Sequence, residues 1–180
     1  MSLYIIGSSR TKNSAQIVKD LSNENDKIIS LTKKHINYCL GCNKCAEKLE
    51  KYCIQNDNML EIYNALLAND KIILVSPIYM NQITAILKNV IDRLNPFSNH
   101  ELLKGKSIYL ITVGQMSSEE NKEVNDAIIK YFASISEFFL FNFAFLGYFS
   151  SGDINEYDDV TKYDENYAEQ INYIKEKLYD

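Results

Sequence analysis

Four cysteines, the only ones in the chain, fall within one stretch, YCLGCNKCAEKLEKYC. Cys39, Cys42, Cys45 and Cys53 follow the spacing C-x2-C-x2-C-x7-C. Three thiols at two-residue intervals wrap readily around one corner of an iron–sulfur cubane, as in the ferredoxin run C-x2-C-x2-C-x3-C-P. Here the fourth cysteine stands farther off and is followed by Ile54 rather than proline. Zinc sites usually pair two C-x2-C arms or add histidine. No second arm exists, and His35 is the only histidine nearby. A cysteine nucleophile needs a lowered pKa and a general base, and the stretch offers neither beyond its lysines. Disulfides are rare in reducing compartments. The start MSLYIIGSSR has no basic n-region or long apolar h-region, so a cytoplasmic location is expected. Three readings of the cysteines stay open: an iron–sulfur cluster, a zinc ion, or small apolar side chains holding nothing.

A second group of chemically useful residues is GSSRTKNSA, residues 7–15. It lacks both G-x-G-x-x-G and G-x-x-x-x-G-K-[ST], so neither a dinucleotide fingerprint nor a triphosphatase loop is present. It offers hydroxyls at Ser8, Ser9, Thr11 and Ser14, an amide at Asn13, a guanidinium at Arg10, and the free N–H groups of a coming helix. Those features suit a terminal phosphate monoester. Only Arg10 and Arg93 are arginine among many lysines, which marks both for a planar, multiply donating group.

Two further loops are suggestive. In SPIYMNQITAILKNVIDR, Ser76-Pro77 forces an extended or turn backbone, Tyr79 and Met80 are large, soft side chains at a strand's carboxyl end, and Asn81 and Gln82 could hydrogen-bond a heterocycle. In TVGQMSSEE, the Val113–Gly114–Gln115 turn offers a glycine where a flat ligand could approach the backbone. A flat ring system with a phosphate tail fits all three loops together.

The elements that must position these residues alternate regularly. Short apolar runs (LYIIGSS, DKIISLT, KIILVSPIY, KSIYLITVG, EFFLFNFAFLGYF) are separated by segments of helical period, and a last helix is expected in YAEQINYIKEKLYD. Alternating strands and helices with near-continuous apolar strands imply an α/β fold, a parallel sheet covered by helices on both faces. In such sheets ligands bind beyond the carboxyl ends of the strands. The expected N-cap of the first helix is Asn13 or Ser14. The 180 residues, 46% hydrophobic and 24% charged, read as one domain over 1–180, with a cysteine-rich insertion at about 37–56. The net charge of −5 argues against nucleic acid or an anionic membrane as partner. The apolar run Phe138 to Phe149 is too short to span a bilayer. The acidic, tyrosine-rich tail from Asp153 to Asp180 reads as a surface helix with solvated charges.

On these motifs, over residues 3 to 115, the chain resembles the NAD(P)H-dependent FMN reductase family and within it the iron–sulfur flavoprotein branch. The family pattern S-P-x-Y…A-x-x-K-x-x-x-D-R is met at Ser76, Pro77, Tyr79, Ala85, Lys88, Asp92 and Arg93. The loop pattern G-S-x-R-x-x-G-N-[ST] is met at Gly7, Ser8, Arg10, Asn13 and Ser14, with its second glycine missing and the loop one residue shorter. The resemblance implies a flavodoxin-like, doubly wound five-stranded parallel sheet in the order 2-1-3-4-5. It implies FMN, with its phosphate on Ser8, Arg10, Asn13 and Ser14. The ring would lie against Pro77 to Asn81 and Val113, Gly114 and Gln115. It implies a [4Fe–4S] cluster on Cys39, Cys42, Cys45 and Cys53, and a homodimer or homotetramer. Expected partners are NAD(P)H with a small acceptor such as a quinone or flavin, or a ferredoxin-like protein if the chain is an electron carrier. A zinc-stabilised binding module of the same fold is the third reading. No catalytic acid or base is expected, since flavin chemistry needs orientation and tuning from the protein rather than proton transfer by a side chain. Lys88, Asp92 and Arg93 are expected to serve helix packing or a subunit contact rather than the flavin.

Overall fold

The computed structural model describes residues 1–47, 51–152 and 158–179. Residues 48–50 of the expected insertion, and 153–157 and 180 of the expected tail, lie outside this description. Five strands pair in parallel in the order β2-β1-β3-β5-β6: β2 (Lys27–Ser30), β1 (Leu3–Ile6), β3 (Lys71–Tyr79), β5 (Ser107–Gly114) and β6 (Asn142–Ser150). Counting these five alone gives 2-1-3-4-5, as expected. A two-residue strand, β4 (Gln82–Ile83), folds back antiparallel on the end of β3.

Strand periodicity splits the core between the two faces. Leu3, Ile5, Ile72, Leu74, Ile108 and Leu110 face one way. They pack beneath α3 (Met59–Ala68), α4 (Ala85–Asp92), the short α5 (Asn95–Ser98) and α6 (Lys122–Phe139). Tyr4, Ile6, Ile73, Val75, Ile111 and Val113 face the other way. There they meet α1 (Asn13–Leu21), the single turn α7 (Val160–Tyr163) and α8 (Tyr167–Tyr179). Apart from their first residues and the buried Ser76 and Thr112, the central strands are therefore apolar up to their loop ends, because neither face meets water. The edges differ: Lys27 and Ile28 of β2 are exposed, and Asn142 to Gly147 of β6 are only partly covered.

Two boundaries depart from the sequence reading. Residues Glu137 to Phe139, expected to open the last strand, form the final turn of α6. Leu140 closes that helix in the left-handed region at φ 61°. Aromatic side chains favour strands, but Phe139 is buried against α6's own face of the sheet and the helix period carries through it. The second departure is β4, a strand that none of the apolar runs marks: Ile83 pairs with Ile78, and Thr84 begins the helix by capping the N–H of Leu87. The expected tail helix forms as α8, but Tyr167, Ile171, Ile174 and Leu178 bury its inner face on the sheet. No helix among the described residues is long and apolar enough to cross a membrane.

Candidate functional site

Beyond the carboxyl ends of β1, β3 and β5 lies a cavity of about 530 Å³, within the range of small-molecule sites. All twelve residues expected at the cofactor line it: Ser8, Arg10, Asn13 and Ser14 from the first loop; Pro77 to Asn81 from the second; Val113, Gly114 and Gln115 from the third. Lys12, Met116, Asn121 and Ser151 line it as well, and sequence reasoning missed them. Asn121 has a physical signature in the structure: it is buried, and its Nδ2 has no partner among the described residues. A buried donor left unpaired is costly, which suits an acceptor on a ligand. Nothing in the sequence distinguished Asn121 from a helix cap.

The first loop is held from both sides. Gly7 continues the sheet by donating its N–H to Val75. A Cβ on Gly7 would stand 2.8 Å from Cβ of Leu87, so α4 can approach only because residue 7 is glycine. Thr84 Oγ1 donates to the Gly7 carbonyl at 2.5 Å, and Thr32 Oγ1 to the Ser8 carbonyl at 2.6 Å. The Arg10 N–H donates to Ser8 Oγ. Ser8 and Ser14 are buried. Asn13 is the first residue of α1 rather than its cap, and Lys12 at the cap position supplies no side-chain bond. The N–H groups of the first turn are left for a ligand.

A residue from the far end of the chain meets this loop. The Asp158 carboxylate accepts from Arg10 Nη1 at 3.0 Å, Lys12 Nζ at 2.7 Å and Asn13 Nδ2 at 3.1 Å. Burial pushes this carboxyl up, but the bond from Lys12 and the charges of Arg10 and Lys12 outweigh it and hold it below the usual range. Asp158 does not line the cavity; it lines an adjoining groove that shares Lys12 and Asn13 with it. Arg10 and Lys12, which line the cavity, are thus partly neutralised by Asp158.

The second loop is a tight hairpin. Met80 and Asn81 both have positive φ, 49° and 60°, between the paired residues Tyr79 and Gln82. That is the signature of a two-residue primed turn, usually written Asn-Gly, which is why Met-Asn concealed it. The turn leaves Tyr79 43% and Met80 98% exposed at the cavity mouth. The third loop corrects the reason given for Gly114. A Cβ there would meet the Tyr148 hydroxyl at 2.5 Å. The glycine makes room for a side chain of β6 as well as bordering the cavity. Tyr148 and Ser150 then both donate to the Met116 carbonyl, at 2.6 and 2.7 Å, fixing the turn.

All four cysteines line a separate cavity of about 310 Å³. Cys39 and Cys42 are exposed, and Cys45 and Cys53 half-buried; of the four only Cys53 packs against the hydrophobic core. Positive φ at Gly41 and Asn43 bends the loop around the cavity, and a single turn, α2 (Lys44–Glu47), sets Cys45 against α5. Asn95 Nδ2 donates to Cys45 Sγ at 3.1 Å, and Asn99 Nδ2 to the Cys45 carbonyl at 2.7 Å. Among the described residues no three His, Cys, Asp or Glu side chains converge on one point as a single metal ion requires.

Arg93 lines this same cavity, not the strand-end one. It is 2% exposed and ion-paired with Asp57, whose side chain is wholly buried. It also donates to the Asn37 carbonyl at 3.3 Å. Asp57 in turn accepts from the Asn37 and Met59 N–H groups. Burial works against the Asp57 charge, but the Arg93 bond and these N–H groups hold its pKa below the usual carboxylate value. Lys88 and Asp92 pair with each other along α4. The arginine of the D-R pattern therefore ties the helix to the cysteine loop.

A doubly wound sheet with a ligand cavity at its strand ends defines the class of flavodoxin-like proteins. Residues 2–139 match NADPH-dependent FMN reductase, and the chain belongs to that family of oxidoreductases. It is 37% identical over 109 residues to an iron–sulfur flavoprotein of Archaeoglobus fulgidus, a match covering 57% of this chain and 49% of that one. It is 37% identical over 87 residues to an iron–sulfur flavoprotein of Methanocaldococcus jannaschii, covering 47% of this chain and 43% of the other. The chain thus spans about half the length of the curated relatives it matches. Among solved structures it resembles an NADPH-quinone reductase from P. pentosaceus at TM-score 0.66, with 13% identity, covering 100% of this chain and 98% of that one. It also resembles an FMN-dependent NADH-azoreductase from Bacillus anthracis, solved with FMN, at TM-score 0.67 and 14% identity, covering 99% of each. At such identities these likenesses speak for the fold.

Proposed function

We propose that the chain is an FMN-dependent oxidoreductase that takes electrons from NAD(P)H and passes them to a small acceptor, a quinone or a flavin. One observation carries this reading: three loops far apart in sequence line a single cavity, with cations and a helix N-terminus at one end and Pro77, Tyr79, Met80 and Gly114 at the other. The donor set fits the cofactor. Ser8, Arg10, Asn13 and Ser14, joined by Lys12 and the first turn of α1, would hold the phosphate. Pro77 to Asn81 and Val113 to Gln115 would hold the ring, with the unpaired Nδ2 of Asn121 as a further donor. Bound FMN supplies the hydride and one-electron chemistry. The chain's own residues bind, orient and shield; none is assigned as acid or base. Tyr79, Met80 and Met116 are exposed at the mouth, which suits cover by a second copy in a homodimer or homotetramer.

A second reading is favoured by the cysteine cavity. With a [4Fe–4S] cluster on Cys39, Cys42, Cys45 and Cys53, the protein would be an iron–sulfur flavoprotein exchanging electrons with a ferredoxin-like partner. Four thiols around one cavity, with amide and guanidinium donors in its wall, suit an anionic cluster. A zinc-stabilised binding module draws less support, since a single ion needs closer convergence of ligands than the described residues have.

The test is a visible spectrum of protein purified without oxygen, with FMN, iron and sulfide assayed on the same sample and NAD(P)H oxidation followed with a quinone. Flavin with quinone-dependent turnover and no iron gives the first reading. Flavin with about four irons per chain and poor NAD(P)H oxidation gives the second. Neither flavin nor iron, even after adding FMN, refutes both.

A further inference from the structure

Arg93 is a cation buried almost completely, yet only part of its guanidinium is satisfied. Nη1 meets Asp57 and the Asn37 carbonyl. Nε and Nη2 have no hydrogen-bond partner among the described residues. Buried N–H groups without acceptors are costly, the more so when they carry charge. An arginine kept only to pair with Asp57 would carry that penalty for nothing. The cavity that Arg93 lines contains the four thiols, and among the residues lining it Arg93 is the one cation. Gln55 adds a long N–H contact to Cys53 Sγ at 3.9 Å, and Asn95 one to Cys45 at 3.1 Å. Two donors of the cavity wall thus already meet cysteine sulfur, and the one carboxylate among the described residues that line it, Asp92, is paired with Lys88.

We infer that Arg93 is a positioning residue for the cluster, its free Nε and Nη2 groups donating to cluster or cysteine sulfur while Asp57 anchors the other edge of the guanidinium. The inference rests on the cluster reading above. Hydrogen bonds to the sulfurs and nearby positive charge stabilise the reduced, more negative cluster and raise its potential. The division of labour on one guanidinium explains why arginine is kept here in a lysine-rich chain. Lysine could satisfy Asp57, but a point charge offers no second, fixed edge of donors.

The test uses the whole protein, purified without oxygen. Because the chain has only two arginines, arginine labelled with ¹⁵N in the guanidinium can be read on its own. Pulsed paramagnetic resonance on the reduced cluster of Arg10→Lys protein should show ¹⁵N coupling from Arg93. In Arg93→Lys, which keeps the charge beside Asp57, the cluster should become harder to reduce. The oxidised-to-reduced ratio at a fixed potential should rise about tenfold, about 59 mV for a one-electron couple. An iron-loaded protein without ¹⁵N coupling, or Arg93→Lys with an unchanged potential, overturns the inference and leaves Arg93 as a partner of Asp57 alone. Wild-type protein that never takes up iron removes the cluster reading and the inference with it, and is distinguished by the iron assay. If Arg93→Lys fails to hold a cluster, the coupling measurement on protein with arginine at 93 still decides.

Discussion

Replacing Asp158 by Asn should tighten FMN binding while slightly destabilising the protein. Asp158 stands 3.0 Å from Arg10 and 2.7 Å from Lys12. A phosphate gripped by the same cations would add a second anion near that carboxylate; taking a separation of about 6 Å, two unit charges in water repel by about 0.7 kcal/mol. A phosphate monoester carries roughly −1.5 to −2 near pH 7, which brings the repulsion to about 1.0–1.4 kcal/mol. That corresponds to Kd falling about fivefold to tenfold in Asp158→Asn. The partners of Asp158 are partly exposed, Arg10 40% and Lys12 59%, so each ion pair contributes only about 0.2–1 kcal/mol to folding. The variant should therefore unfold at slightly lower denaturant yet hold FMN more firmly. Quenching of flavin fluorescence on titration into flavin-free protein measures Kd directly. The gain should shrink as salt is raised, because a Debye length of about 8 Å at physiological ionic strength is close to the separation involved. Weaker binding in Asp158→Asn would refute the reasoning, since it would mean that the carboxylate holds Arg10 and Lys12 in their binding pose rather than competing for their charge.

Arg10→Ala should weaken FMN binding by about 1.5–3 kcal/mol, the range for a charged hydrogen bond, but leave riboflavin binding unchanged; equal losses for both ligands would move Arg10 away from the phosphate. Gly114→Ala forces a methyl within 2.5 Å of the Tyr148 hydroxyl and should cost about 1–3 kcal/mol in chemical denaturation, with part of the loss recovered by Tyr148→Phe. Asp57→Asn leaves Arg93 buried without a counter-charge and should destabilise by about 3–5 kcal/mol. Because the Asp57 pKa is depressed in the folded state, its contribution is present above about pH 4 and is lost as pH falls through the folded value. Asp57→Asn should therefore flatten the acid limb of a stability-versus-pH curve, and an unchanged limb would show that other carboxylates govern it.

What the sequence disclosed and what it hid follow from the range of the interactions concerned. Local patterns carry the α/β class and the three strand-end loops: apolar runs fix which segments are buried, and strand ends fix which loops converge. The order 2-1-3-4-5 and the full set of site residues, Gln115 among them, came from the resemblance to the FMN reductase family carried by the motifs at residues 7–14 and 76–93. The hairpin at Met80 and Asn81 was hidden because its backbone demands glycine-like φ values and its residues are not those that usually supply them. Asp158 and Arg93 were hidden for a different reason. Asp158 reaches Arg10 across 148 positions of chain, and Arg93 reaches Asp57 across 36; no periodicity encodes such pairs. Yet both pairs use the chain's only two arginines. In each, one edge of the guanidinium meets an internal carboxylate. Each arginine also lines a cavity suited to a cofactor that carries negative charge, one a phosphate and the other a set of thiolates. The rarity of arginine pointed to a special role; only the fold shows its form, a guanidinium paired with an internal carboxylate at the wall of a cavity.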